Sequence, residues 1–457
     1  MTDAKVCAVL LLAVVSSASF ARPSLAQSIT ANDDAHTLIT RDGDRYIIRG
    51  GSLSRDGRNL FHSFERLGLS AGEIAEFIST PAIDNVLGRV TGGNPSVIDG
   101  LLRMTGGNSN LYLINPAGII FGPHARLDLP ASFLATTATG IGFNQNWLDA
   151  VGDNRYADLV GNPDQFYFSL AESGVITNAG YLSVPAGESL TLLGGTVVNT
   201  GTLSAAGGTI TVAAVPGESR VRLTQAGTLL SLEIEPLGDG TLSEGGLRPA
   251  SLPELLTGGA IATATGLTVD PDGTVRLTST NRAIATQPGT VVISGTLDAA
   301  SPTAIPEINL VGDRVMVLGA NLNASGRDGG RIRIGGDYRG QGAIATATLT
   351  TVDADTTITA NSLTATGEGG RIFVWADDTT RFDGTLSARG GTVAGQGGFV
   401  ELSGARHLTV TGTVDLTAPN GAIGTLLLDP TDITIVNGDG GGNDAAVTAD
   451  GQVLAAD

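Results

Sequence analysis

Two residue types are almost missing from this chain of 457 residues: there is one cysteine, Cys7, and one lysine, Lys5. A single thiol near the start can close no internal disulfide, so stability has to come from packing alone. Nothing crosslinks the chain against passing unfolded through a narrow pore. Arginine is the only strong cation beyond Lys5, and the formal charge is −19. Such a surface repels polyanions and anionic lipid, which excludes nucleic-acid binding. Aromatics are only 4% and charged residues 16%, so no core of large rings can form. Small and β-branched side chains must instead be stacked many times over.

The start reads as a processing segment. Lys5 precedes the apolar run Val6–Val15, a region of small residues follows, and Ser24-Leu25-Ala26 before Gln27 has the form of a cleavage site. The run is too short for a permanent membrane anchor. Removal of residues 1–26 takes away Lys5, Arg22 and Asp3 and moves the formal charge from −19 to −20. The mature chain, cleaved near Ala26, is therefore expected to leave the cytoplasm. The end, Val453–Asp457, lacks the aromatic terminus of an outer-membrane barrel.

What the chain does have is glycine, 65 residues of it, and a phrase that keeps returning. Gly201-Thr-Leu-Ser-Ala205, Gly208-Thr-Ile-Thr-Val212, Gly295-Thr-Leu-Asp-Ala299, Gly384-Thr-Leu-Ser-Ala388 and Gly412-Thr-Val-Asp-Leu416 each place two apolar residues at i and i+2 after a glycine turn. That is the period of a strand with one buried face. The stretch Ala320–Ile334 is echoed in Ala360–Val374, offset by forty positions, and more loosely from Gly384 to Leu402. Forty positions suit two coils of about twenty residues in an irregular β-solenoid. Ile332, Ile334, Ile372, Val374, Val400 and Leu402 then point inward, and Arg331, Arg333, Phe373, Trp375 and Glu401 point out to solvent. A β-sandwich of short hairpins is the other fold with strands at this spacing. Ser70-Ala-Gly-Glu73 has the form of a capping box opening a helical turn through Phe77. Gly238–Gly259, with prolines at 236, 249 and 253, reads as an excursion from the rod.

Asn115-Pro116-Ala117-Gly118 separates Leu111–Ile114 from Ile119–Phe121 and fits a type I turn between two strands. In "NLYLINPAGIIFGPHARLDLPASFLATTA" (110–138), together with "RGGSLSRDGRNLFHSFERLGLS" (49–70) and "NVLGRVTGGNPSVIDGLLRMTGG" (85–107), the chain resembles the filamentous-haemagglutinin N-terminal domain family. These are the secretion domains of two-partner secretion exoproteins. The resemblance implies an all-β, single-stranded right-handed β-helix with an N-terminal cap. It also implies recognition in the periplasm by an outer-membrane transporter with periplasmic receptor domains. The rod would then be threaded out unfolded and fold at the surface. Carried over onto this sequence, the recognition or structural turn is Asn115, Pro116, Gly118 and Ile119, with a second Asn-Pro pair at Asn94 and Pro95. The family motif has asparagine where this chain has Ala117, so any contact made through that side chain is in doubt. The expected organisation is a signal peptide over 1–26 and a capped secretion domain over 27–290, with its family-like core at about 49–138. A β-helix extension follows over 291–437, and a frayed Gly/Asp-rich tail over 438–457.

The functional expectation is a surface adhesin or haemagglutinin-like structural protein, not an enzyme. Exposed Trp375 and Phe373 and a flank of hydroxyls and carboxylates would contact glycans or neighbouring cells. The alternative is a polysaccharide lyase or hydrolase on the same scaffold. Its candidate acids are Asp377, Asp378 and Asp383 beside Trp375, and Asp313 with Asp328 and Asp337. A solvated acidic face is the preferred reading of these, since a rod this acidic clusters aspartates by chance. His36, His62, His124 and His407 have no metal-ligand spacing. Asp270-Pro-Asp-Gly273 and the pair Asp439 and Asp444 are oxygen-rich but read as turns. No cofactor and no metal is expected.

Overall fold

The computed structural model describes residues 28–223, 232–236, 249–257, 265–342 and 344–429. The expected signal segment, most of the Gly238–Gly259 excursion and the tail with Asp439 and Asp444 lie outside the described residues. The chain winds repeatedly through three sheets. Asn110–Ile114 lies in the first, Ile119–Phe121 in the second, Arg126–Asp128 in the third. Phe133–Thr136 then returns to the first, paired parallel with Asn110–Ile114. The described strands make sheets of thirteen, nine and twelve members built in this way. Parallel pairing between successive coils is the signature of a β-helix and excludes a sandwich of hairpins, whose neighbouring strands run antiparallel.

Inside the first sheet Leu60, Val86, Leu111, Phe133, Leu190, Ile210, Ile308, Ile332, Ile372 and Val400 stand in direct register, one per coil. Each is buried. Burial of such a side chain stabilises by roughly 1.5–3 kcal/mol, so the ladder repeats the same contribution along the rod. The returning glycine also has a steric reason. A Cβ on Gly295 would sit 1.9 Å from the carbonyl oxygen of Gly201 in the coil before it. Only glycine lets the coils approach that closely at this corner.

The N-terminal end is closed by antiparallel strands. Thr37–Asp42 pairs with Arg45–Gly50, which in turn lies parallel to Ile74–Ile78 and ends the third sheet. Ser70–Glu73 is a turn and not a helix start. Glu73 N–H donates to Ser70 O at 3.0 Å, and the Glu73 carboxylate accepts from Ser70 N–H at 2.9 Å. The chain then enters the strand Ile74–Ile78, burying Ala75 and Phe77. The alternation in Ile-Ala-Glu-Phe-Ile, with strands on both sides to pair with, outweighs the capping signal.

Two outer faces of the rod are covered. An antiparallel sheet including Gly140–Phe143, Asn146–Asp149, Gln165–Phe168 and Ser219–Leu223 lies over the first sheet. There Ile141, Phe143 and Phe166 share a core with Phe61, Tyr112 and Leu134. The helix Leu252–Thr257 and the hairpin Leu267–Val269 with Val275–Leu277 lie over the second sheet. Leu252, Leu255, Val275 and Leu277 pack there with Val97, Ile120, Val175 and Val198.

The inward positions Ile332, Ile334, Ile372, Val374, Val400 and Leu402 are fully buried as expected. Two other expectations are corrected. Ile332 pairs directly with Ile372, so forty positions are one coil and not two. The extra length is the segment 335–348, which folds back over the outer face of the first sheet. For that reason Phe373, Trp375, Arg333 and Glu401 are buried, not solvent-exposed. A Cβ on Gly336 or Gly340 would meet the Trp375 ring at 2.9 and 2.5 Å. Tyr338 from the same segment packs edge-to-face with Phe373 and Phe399. Arg333 is held by Asp337, Glu307 and Asn309. Glu401 accepts from Arg339 N–H and Ser403 Oγ, and burial pushes its carboxyl above the usual range.

Candidate recognition corner

Asn115 to Ile119 join the first sheet to the second. Gly118 N–H donates to Asn115 O at 3.1 Å, closing the turn, and Asn115 Oδ1 accepts from Ala117 N–H at 3.0 Å. The Asn115 carboxamide also donates to Asn94 O and to Ser96 Oγ, both at 3.0 Å, and so ties the corner to the Asn94-Pro95 turn of the previous coil. Gly118 O accepts from Ser96 N–H at 3.0 Å. Gly118 has φ +127°, a conformation that side chains other than glycine's rarely adopt.

The corner is internal. Asn115, Pro116, Ala117, Gly118 and Ile119 are all buried, Pro95 is half-buried, and Asn94 alone is exposed. A Cβ on Gly118 would lie 3.3 Å from Leu255 of the covering helix and 3.2 Å from Val175 O. The structure thus brings all six expected residues together through two adjacent turns.

The family model for the TPS secretion domain matches residues 24–247. These residues are a two-partner secretion domain. Among solved structures it is similar to the HMW1 secretion domain from Haemophilus influenzae at 22% identity, with 86% of this chain and 99% of that chain covered and a TM-score of 0.42. It is also similar to the filamentous hemagglutinin secretion domain at 13% identity, covering 87% of this chain and all of that chain, with a TM-score of 0.35. No curated protein matches. A two-partner secretion domain marks a secreted exoprotein that crosses the periplasm.

Within this secretion domain the structure adds residues that the sequence reading passed over. Asn59, Asn85 and Asn110 open successive strands of the first sheet and form a carboxamide ladder, with links of 2.8 and 3.0 Å. Their spacing of about one coil was the available signal. Arg89 is almost wholly buried and joins three parts of the domain. It pairs with Asp34 of the cap and donates to the Asp149 and Gly152 carbonyls of the covering sheet, and its guanidinium faces the Tyr156 ring. Burial lowers the Arg89 pKa and raises that of Tyr156.

The histidines do not meet. His36 caps a short 3-10 turn in the left-handed region, and His407 is an exposed strand residue. His124 faces buried Asp99 at 3.1 Å. His62 is buried against Phe64 and Phe77, and desolvation lowers its pKa to about 4. The candidate acids are held singly. Asp377 accepts from Thr346 and Trp375, Asp383 from Arg381 and Thr411, Asp313 from Thr348, Asp328 from Arg327, and Asp337 from Arg333. Asp378 accepts from Thr379 and lies 3.7 Å from Arg406. Asp270–Gly273 is the turn of the outer hairpin, with Gly273 N–H donating to Asp270 O. Among the described residues no group of His, Cys, Asp or Glu is placed to hold a metal ion. Among them, too, no helix is long and apolar enough to cross a membrane.

Proposed function

We propose that the chain is the exported member of a two-partner pair, recognised by an outer-membrane transporter with periplasmic receptor domains. It serves at the cell surface as a non-enzymatic adhesive rod, after signal cleavage near Ala26. The observation that carries this reading is continuity. The matched secretion domain and the later coils share one set of aliphatic ladders, so folding of the first coils templates the rest. A cysteine-free chain can reach the surface unfolded and gain its stability there from packing. We place the secretion domain over 27–290, because the hairpin 267–277 packs on coils at Val97 and Val175. The Asn115 corner shapes the domain, and contact with the transporter falls to exposed positions such as Asn94. The acids beside Trp375, each occupied by its own arginine, threonine or indole partner, support the non-enzymatic role. Export of the full chain into the medium with and without its transporter is the test: release that does not need the transporter overturns the assignment.

A further inference from the structure

Among the described residues, nothing covers the third sheet in its later coils. Thr202, Thr296, Asn321, Thr357, Thr385 and Thr413 stand in direct register on six successive strands. Four of its members, Thr202, Thr296, Thr385 and Thr413, come from the repeated Gly-Thr phrase. The inward partners Leu203, Leu297, Leu322, Ile358 and Leu386 are fully buried, so the column must face out. Asn321, Thr357, Thr385 and Thr413 are exposed and Thr202 and Thr296 half-buried. The side chains of Thr202, Thr296, Asn321 and Thr357 make no hydrogen bond among the described residues. The neighbouring outward column, two positions on, is by contrast occupied. Asp298 accepts from Ala300 N–H, Asn323 from Ser325 N–H and Thr359 Oγ, and Asp415 from Thr417, while Ser387 donates to Asn361. One rank of hydroxyls and a carboxamide therefore runs along the rod at the interstrand spacing of roughly 4.8 Å, unpaired from Thr202 to Thr357, while Thr413 Oγ1 donates to Thr385 Oγ1 at 3.3 Å. Below Thr202 the same register holds Tyr181, 45% exposed, and then Arg126, whose guanidinium lies 5.7 Å from the centre of the Tyr181 ring.

We propose that this column binds an extended, electrically neutral polysaccharide lying along the rod. The site rests on the adhesive reading above and locates it. Hydroxyls that both donate and accept match a polyol. From Thr202 to Thr413 the column carries no charge and its flank supplies the carboxylates of Asp298 and Asp415, so a polyanion is disfavoured there. A single rank suits a linear chain and not the two-dimensional lattice of ice, because the second column is turned into its own loops. Weak contacts repeated along one polymer add through effective concentration.

The test is affinity electrophoresis of the full chain in gels holding dextran, a mannan or a soluble β-1,4-glucan, with alginate as the anionic control. Thr296→Val, Thr357→Val and Thr385→Val keep the β-branched shape and remove the hydroxyls. Retardation by at least one neutral polymer is expected, weakened roughly tenfold or more in the triple variant, whose circular dichroism stays that of the parent. Retardation by alginate alone, by no polymer, or equally in parent and triple variant overturns the site, as does ice shaping without polymer binding. If the parent attaches to cells while polymer binding fails, the adhesive reading stands and this face falls. If neither occurs, both fall.

Discussion

Replacing Asn115 by alanine separates a corner that shapes the domain from one that a transporter touches. The change removes three hydrogen bonds, to Asn94 O, Ser96 Oγ and Ala117 N–H, each at 3.0 Å. At a net value of about 1 kcal/mol each, the loss is about 3 kcal/mol. Burial of the abandoned Ala117 N–H, which water cannot reach, adds to it. In a coil stack one global unfolding energy is ill-defined, so the assay is amide hydrogen exchange. The Gly118 and Ser96 amides, which donate to Asn115 O and Gly118 O, should lose about a hundredfold in protection, since 1.4 kcal/mol is a factor of ten. Amides in distant coils, such as Ile372, should keep theirs. Protection unchanged within threefold would refute the hydrogen-bond argument. Export lost from a variant whose protection is intact would show that the carboxamide meets the transporter.

Gly118→Val should block folding of the first coils. Its φ of +127° admits few side chains, strain of this kind costs of order 1–3 kcal/mol, and a Cβ meets Leu255 at 3.3 Å; a secreted yield equal to that of the parent refutes this. His62, buried neutral with a pKa of about 4 against an ordinary 6.5, makes the cap acid-sensitive. The unfolded chain takes up the proton first, so stability is whole above pH 6.5 and lost as pH falls from 6.5 to 4. The loss approaches about 3 kcal/mol at the low end. A His62→Gln variant should show a smaller drop in urea midpoint between pH 7 and 4.5, and an equal drop counts against burial as the cause. Trp375→Ala empties the space under Gly336 and Gly340 and should cost about 3–5 kcal/mol. The check is faster exchange over 335–347 and not in the first coils.

The solenoid was legible because its signal is local and repeated. The ladder through Ile332, Ile372 and Val400 follows from alternation alone, and the glycine that opens each phrase marks the place where one coil's carbonyl crowds the next. What failed was anything set by packing at a distance. Trp375 and Phe373 read as outward, and they do leave the coil interior, but nothing in Gly335–Thr348 announces that this segment folds back over them. The forty-position offset misled for the same reason: a coil with a long loop and two short coils have equal length in sequence. Ser70–Glu73 shows the converse, a true local turn whose continuation was decided by strands on either side.

A turn does form at Asn115, yet its burial could not be read. Its cover comes from Leu252 and Leu255, more than a hundred residues further along the chain. That separation bears on how the domain is recognised. In the folded state the most motif-like residues are sealed beneath a helix that follows the first coils in the chain, and Asn94 is the part of the constellation left at the surface. A transporter that reads the Asn115 side chain has to do so before 249–257 dock. One that reads the folded cap can see only what lies around Asn94. The same physics divides the rod. Where later segments fold back, the outward residues become core. The third sheet, which receives no such cover from the described residues, leaves its outward threonines exposed.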